Sequence, residues 1–331
     1  MQIGKLTSKE LDEIILSNIK SYRKDVVLRP GIGIDCGGVK IGDDVCMLST
    51  DPITAASKDA GKLAVHVSCN DVASTGAEPI ALLITMLIPP QASVESIREL
   101  FKQMQQTAKE LNVEIIGGHT EVTDTVNKTV ICTTVLGKVK ADKFISGQGA
   151  KIGDSIVMTK FAAMEGTAII ASDFPDLLHD ILTEKEIKTC LSLSDRISVV
   201  QEGKIAGQIG VNAMHDVTEG GILQAVWEIC NASECGAIIN LDSIPVLNET
   251  KKICNELKID PLRLISSGSM IMTASDGAKC VEAMHMQGIP AAVIGKIKEG
   301  NIIGISGGVG RELTPQERDE IYKVIMRHEG K

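Results

Sequence analysis

Apolar residues along this chain fall into short runs stopped by turn residues, with a few longer stretches at helical spacing. Thr7 and Glu10 make a capping-box pair, and Leu11, Ile14, Ile15 and Ile19 recur on one face, predicting an amphipathic helix over 7–20. Val45 to Ser49 reads as a short strand that delivers Thr50-Asp51-Pro52. Leu63 to Cys69 is rich in β-branched and apolar residues and reads as a buried strand, with His66 alternating inside it as a core or interface histidine. It releases Asn70-Asp71 into a small-residue turn closed by Gly76 and Pro79. Leu82 to Ile88 is a further strand, stopped by Pro89-Pro90. Ser93 caps a helix whose Val94, Ile97, Leu100, Phe101, Met104, Ala108 and Leu111 form a core stripe. Val113 to Ile116 then opens into a Gly117-Gly118-His119-Thr120-Glu121 turn, and Lys128 to Val139 is the next strand.

Glycine and small polar residues from Ser146 to Asp154 interrupt the apolar pattern and predict a boundary between domains 1–149 and 150–331. Beyond it, Ser155 to Thr159 is a strand and Glu165-Gly166-Thr167 opens an apolar helix. Residues 183–209 read as helical behind a Thr183–Glu186 capping box. A strand over 211–214 leads into His215-Asp216-Val217-Thr218-Glu219-Gly220-Gly221 and a helix. Leu264 to Thr273 is a strand broken by Gly268, Ala291 to Ile297 and Asn301 to Ile305 make a hairpin, and Gln316 to Arg327 is a terminal helix.

The apolar fraction of 44% over 331 residues suffices for proper cores, and no run is long enough to span a bilayer. Aromatics at 2% and a net charge of -9 argue against nucleic acid or an anionic membrane as partner. The N-terminus lacks a secretion-signal pattern, and nine scattered cysteines without a CxxC pair fit a reducing cytoplasm. A phosphate ligand would then have to be met by backbone amides, a metal ion or a few cations.

Chemistry concentrates at polar strand ends: Asp51, Asn70-Asp71 and the Gly-Gly-His-Thr-Glu turn, with the glycine-rich stretch around Asp35 before them. Two carboxylates about 4 Å apart repel by roughly 4 kcal/mol at an effective dielectric near 20, so such a cluster calls for a cation. Carboxylates together with substrate phosphates are how magnesium is normally held, which makes a Mg-nucleotide site the economical explanation, with solvated surface turns as the alternative. The strand, turn with paired glycines and helix start at 211–222 has a shape suited to phosphate, without the lysine of a P-loop.

The motifs GIGIDCGGV, TDP, NDVASTGAEP, GGHTE and HDVTEGG, running in this order from Gly31 to Gly221, resemble one superfamily. It contains aminoimidazole ribonucleotide synthetase, thiamine-monophosphate kinase, selenophosphate synthetase and the hydrogenase maturation protein HypE. EGTAIIA and LISSGSM match it more loosely. The resemblance implies an α+β fold: an N-terminal mixed-sheet domain that pairs into a barrel across a homodimer, and a C-terminal α/β domain. It implies ATP in the cleft between them, with Asp35, Asp51 and Asp71 as magnesium and phosphate ligands. Asn70 and the loop Gly117, Gly118, His119, Thr120 and Glu121 would contact the nucleotide, while Asp216, Thr218, Gly220 and Gly221 approach the phosphates from the other domain. Asp71, His119 and Glu121 are the candidate catalytic residues, His119 or Glu121 handling proton or substrate contacts.

The resemblance is nearest to HypE-like proteins. The first cysteine, Cys36, lies inside the glycine-rich loop, unlike the reactive residue of selenophosphate synthetase, and His119 stands where thiamine-monophosphate kinase usually has Asp. The sequence ends Arg327-His328-Glu329-Gly330-Lys331 with its last cysteine at Cys280, whereas HypE ends in a cysteine that carries the group being dehydrated. The expected function is Mg-dependent, ATP-using phosphorylation or activation of an oxygen acceptor, small-molecule or protein-borne. The alternative is a nucleotide-binding protein partner or regulator without turnover.

Overall fold

The structure is a computed structural model that describes residues 6–54, 58–316 and 318–329. Its first part holds α1 (Ser8–Ile14), β1 (Val26–Leu28), β2 (Gly37–Ile41), β3 (Asp44–Ile53), α2 (Ala60–Ala73), β4 (Glu78–Ile88), α3 (Val94–Glu110), β5 (Glu114–Val122) and β6 (Val130–Lys140). Six strands make one mixed sheet in the order β1-β2-β3-β6-β4-β5, antiparallel except for the β4–β5 pair at its edge. One face of it carries Val45, Met47, Leu82, Ile84, Ile131 and Val135, which form a core with Val65, Cys69 and Val72 of α2 and Met104 of α3.

The second part holds β7 (Ser155–Thr159), α4 (Met164–Asp173), α5 (Glu184–Leu191), α6 (Val200–Ile209), β8 (Ala213–Asp216), α7 (Gly221–Ala232), β9 (Gly236–Asn240) and α8 (Asn248–Leu257). It ends with β10 (Met270–Ala274), α9 (Gly277–Met286), β11 (Ala291–Lys298), β12 (Ile302–Ser306), β13 (Val309–Glu312) and α10 (Ile321–Glu329). The seven strands run β13-β12-β9-β11-β7-β10-β8, placing β8 at one edge. The chain is thus α+β, with a mixed sheet in each part. The two parts touch through α2 and α6, where a Cβ on Gly203 would stand 2.2 Å from the Ala73 carbonyl oxygen.

Several elements differ from the sequence expectation. Leu63 to Cys69 is not a strand but the middle of α2, and it is buried on nearly every side. A run that is apolar all round loses the amphipathic period that separates helix from strand. Gly117 to Glu121 is not a turn but continues β5, pairing in register from Leu83–Gly117 to Leu87–Glu121. Asp51 lies inside β3, pairing with Thr133, and not beyond its end. Residues 183–209 are divided between α5 and α6, with a 3-10 segment at Ser192–Arg196 between them. The segment before Met270 is irregular and only β10 is strand. β11 and β12 are no hairpin, because β9 lies between them, antiparallel to β11 and parallel to β12. The terminal helix starts at Ile321, and Glu317 lies outside the described residues. Thr7 and Thr183 do form capping boxes and Ser93 does cap α3. However, α1 ends at Ile14, and Ile14, Ile15 and Ile19 stay exposed, as do Val94 and Phe101 of α3.

Candidate functional site

Strand β3 and helix α2 bring the first two acids together. Ser49 and Asp51 are two apart on β3 and so share the face toward α2, whose last turn carries Asp71. Ser49 Oγ donates to an Asp71 carboxylate oxygen and lies 3.5 Å from Asp51 Oδ2. Asp35, from the glycine-rich loop before β2, and Asp216, the last residue of β8, approach the same place from other segments. Asp71 is buried, and its carboxyl is held well above the usual carboxylate range by that burial, then by Asp216, Asp51 and Asp35. The Cys36 thiol is likewise pushed well up, first by burial and then by Asp71, Asp35, Asp216 and Asp51. It is therefore a neutral thiol at neutral pH, poorly suited to be a nucleophile.

Asp216 is 1% exposed, and neither of its carboxylate oxygens has a hydrogen-bond partner among the described residues. A buried carboxylate left in this way is costly unless a cation meets it. The donor set of Asp35, Asp51, Asp71 and Asp216 fits a hard divalent ion. His215, next to Asp216 on β8, faces the same cluster. Burial alone would lower its pKa, but Asp35, Asp216 and Glu228 outweigh that and hold it well above the ordinary value.

Other residues singled out from sequence lie elsewhere. The Asn70 side chain is fully buried and joins the two parts: its amide donates to the Ile197 carbonyl and its oxygen accepts from the Val199 amide, both at 2.8 Å. His119 and Glu121 stand on β5 with side chains mostly exposed and 3.8 Å apart. Their register partners Thr85 and Leu87 alternate with the buried Ile84, Met86 and Ile88, so His119 and Glu121 project from the face opposite to α2 and the acids. Thr120 takes the alternate position. Within one chain, Asp71 and the two other candidate catalytic side chains are not assembled. The turn before α7 has engaged amides: Gly220 donates to Asp319 at 2.6 Å and Gly221 to the Thr218 carbonyl at 3.2 Å. Gly220 and Gly221 have φ of 83° and 64°, left-handed backbone that suits glycine.

Sequence reasoning missed the groups that support the cluster. Lys160 forms a buried ion pair with Glu202 at 2.6 Å and donates to the Ser198 and Gly268 carbonyls, fixing the segment that Asn70 grips. Its pKa is lowered by burial despite Glu202. Ser49 was readable as the same-face neighbour of Asp51. Glu228, seven residues into α7, carries no sequence signal linking it to His215. His66 lies on α2, buried with Nδ1 unpartnered among the described residues, and burial with nearby Lys62 lowers its pKa to about 4.

The two sheets, with acids converging between them, are those of a known protein class. Residues 33–139 match the N-terminal domain and residues 151–307 the C-terminal domain of the AIR synthase related proteins, and the chain belongs to that family. It is 31% identical to a putative hydrogenase expression/formation protein of Methanocaldococcus jannaschii, over 94% of this chain and 93% of that one. The fold also superimposes on HypE in a HypE–HypF complex, with a TM-score of 0.73 and 24% identity over 84% of this chain and 93% of that one. A hydrogenase maturation protein HypE in complex with ATP gives a TM-score of 0.69 and 20% identity, over 96% and 97% of the two chains. Among the described residues no helix is long and apolar enough to cross a membrane.

Proposed function

We propose that this chain is a Mg-dependent, ATP-binding enzyme of the HypE-like group, which phosphorylates or activates an oxygen acceptor on a small molecule or a protein in hydrogenase maturation. The observation that carries the proposal is the convergence of Asp35, Asp51 and Asp216 on the buried Asp71, whose proton affinity all three raise. The family membership and the ATP complex of a structural relative support the choice of nucleotide.

Asp35, Asp51 and Asp71 would hold magnesium, which supplies charge neutralisation on the phosphates during transfer. Ser49 orients Asp71, and Asn70 with Lys160 keeps α2 fixed against the second part, so the acids are positioned before ligand arrives. The domains divide at 149/150, with the nucleotide lying at their seam. The chain works as a homodimer. His119 and Glu121 would then act across the outer face of the first sheet, toward the partner, and not beside Asp71 of their own chain. The setting is cytoplasmic, and a further protein partner would present the acceptor.

The test is calorimetric titration with ATP, with and without magnesium, on the wild type and on Asp71→Asn. Magnesium-dependent binding weakened by at least about tenfold in a folded Asp71→Asn protein is expected, since loss of a coordinating charge costs 1.4 kcal/mol or more. Equal affinity in the two proteins overturns the proposal.

A further inference from the structure

One end of the acid cluster contains a nitrogen donor. His215 Nδ1 lies 3.3 Å from Asp35 Oδ2 and 3.8 Å from Asp216 Oδ1. One ligating atom from each of the three residues falls within 4.8 Å of the others. On the far side of the ring, His215 Nε2 sits 2.7 Å from Glu228 Oε2, and Glu228 Oε1 in turn accepts from Gln224 Nε2 at 3.0 Å. A carboxylate behind an imidazole is the arrangement that fixes the tautomer and direction of a metal-bound histidine. Here it leaves Nδ1 directed at the two aspartates.

A protonated His215 acting as a plain counter-charge accounts less well for the same atoms. Its Nδ1–H can serve one acceptor well, and Asp35 is the nearer. Both oxygens of Asp216 would remain buried without a hydrogen bond. An ion seated among the three residues meets Asp216 directly. Asp35, whose side chain is 38% exposed, is the member of the three that solvent reaches.

We infer that Asp35, His215 and Asp216 form a site for a divalent first-row transition ion, of the manganese, iron, cobalt or zinc type. Imidazole suits such ions, while magnesium prefers an all-oxygen shell and retains its waters. The inference shares Asp35 and Asp216 with the acid cluster of the magnesium proposal and rests on that reading for those two residues; His215 with Glu228 behind it is what it adds. All three ligands come from the protein and none from a nucleotide, so the ion should bind the free protein.

The experiment uses metal-free full-length protein and manganese, without nucleotide. Loss of the free-ion signal in electron paramagnetic resonance gives the stoichiometry, and pulsed measurements detect nitrogen coupled to the bound ion. About one ion per chain with nitrogen modulation is expected. His215→Gln should abolish the modulation and weaken manganese by about tenfold or more, with magnesium affinity changed less than about twofold. Asp35→Asn, in an exposed loop position, should weaken manganese without disturbing the core, which guards against a misfolded His215 variant. Absence of manganese binding, bound manganese without nitrogen modulation, or a His215→Gln protein that binds as the wild type does would each overturn the inference. Asp51→Asn separates the two proposals. Loss of Mg·ATP binding there with manganese retained supports both, whereas manganese lost in His215→Gln through unfolding is recognised by loss of the circular dichroism signal and leaves Asp35→Asn to decide.

Discussion

Glu165 is a buried acid in the first turn of α4, at the wall of a cavity of about 390 Å³ that also touches Leu63, Ile169 and Ile197. Burial lifts its carboxyl to about 7, against the lowering effect of the Ser267 hydroxyl and amide. Asp319 behaves alike, raised to about 6 by burial although the Ile321, Gly220 and Ile265 amides hold it down. Between the unfolded values near 4 and these folded values, the native chain keeps protons that the unfolded chain has lost. Stability contributed by these acids is therefore complete at low pH and declines as pH rises to about 7. For Glu165 the decline is on the order of 3 kcal/mol. Glu165→Gln retains an acceptor for the Ser267 amide, so it should flatten the fall between about pH 4.5 and 7 in urea unfolding. A variant whose stability follows the wild-type curve would show that this carboxyl is not the titrating group. The sequence made the residue conspicuous, as a lone acid in FAAMEGTAIIA, but gave no sign of its partner. Ser267 is 102 residues away and meets it only through the fold.

At the scale of elements, β5 shows how an identical motif can be read two ways. Gly-Gly before polar residues suggested a turn, yet the glycines serve close backbone approach within a sheet. At Gly118 φ is 149°, and an added Cβ would lie 1.8 Å from the Ile84 carbonyl oxygen across the β4–β5 pair. Gly118→Ala should therefore detach β5 from β4 and cost about 3 kcal/mol or more. Urea midpoints and faster amide exchange in β5 would report this, and unchanged exchange there would refute the close-packing argument. Local signals were legible where they are local in cause: the capping boxes at Thr7 and Thr183, the Ser93 cap, and strands of alternating burial such as β4. The α2 region was misread because its burial on all sides is a tertiary fact. The same limit applies to β11 and β12, whose separation by β9 depends on a strand more than fifty residues earlier. The acids were still found, because Asp35, Asp51, Asp71 and Asp216 each stand in a motif whose residue types matter more than its secondary structure.

For the whole molecule, the first sheet has one face closed by α2 and α3 and another that is largely open. The open face presents Ile80 and Leu83 of β4, 40% and 45% exposed, with Ile116 on the neighbouring β5. β5 is also an edge strand, whose outer hydrogen-bonding row has no neighbour among the described residues. An edge of this length with apolar flanks invites pairing with another chain. A second copy is the occupant that the family resemblance implies, and it would also explain why His119 and Glu121 point away from Asp71. Leu83→Glu places a charge at the centre of that face, far from the acid cluster on the other side of the sheet. Burying it unpaired in an interface would cost several kcal/mol, enough to shift a micromolar dimer to monomer. Light scattering at micromolar concentration should then give the mass of two chains for the wild type and one for Leu83→Glu, with circular dichroism unchanged. If the wild type is already a single chain, or the variant stays paired, this face is not the dimer contact, and His119 and Glu121 need another explanation for their position.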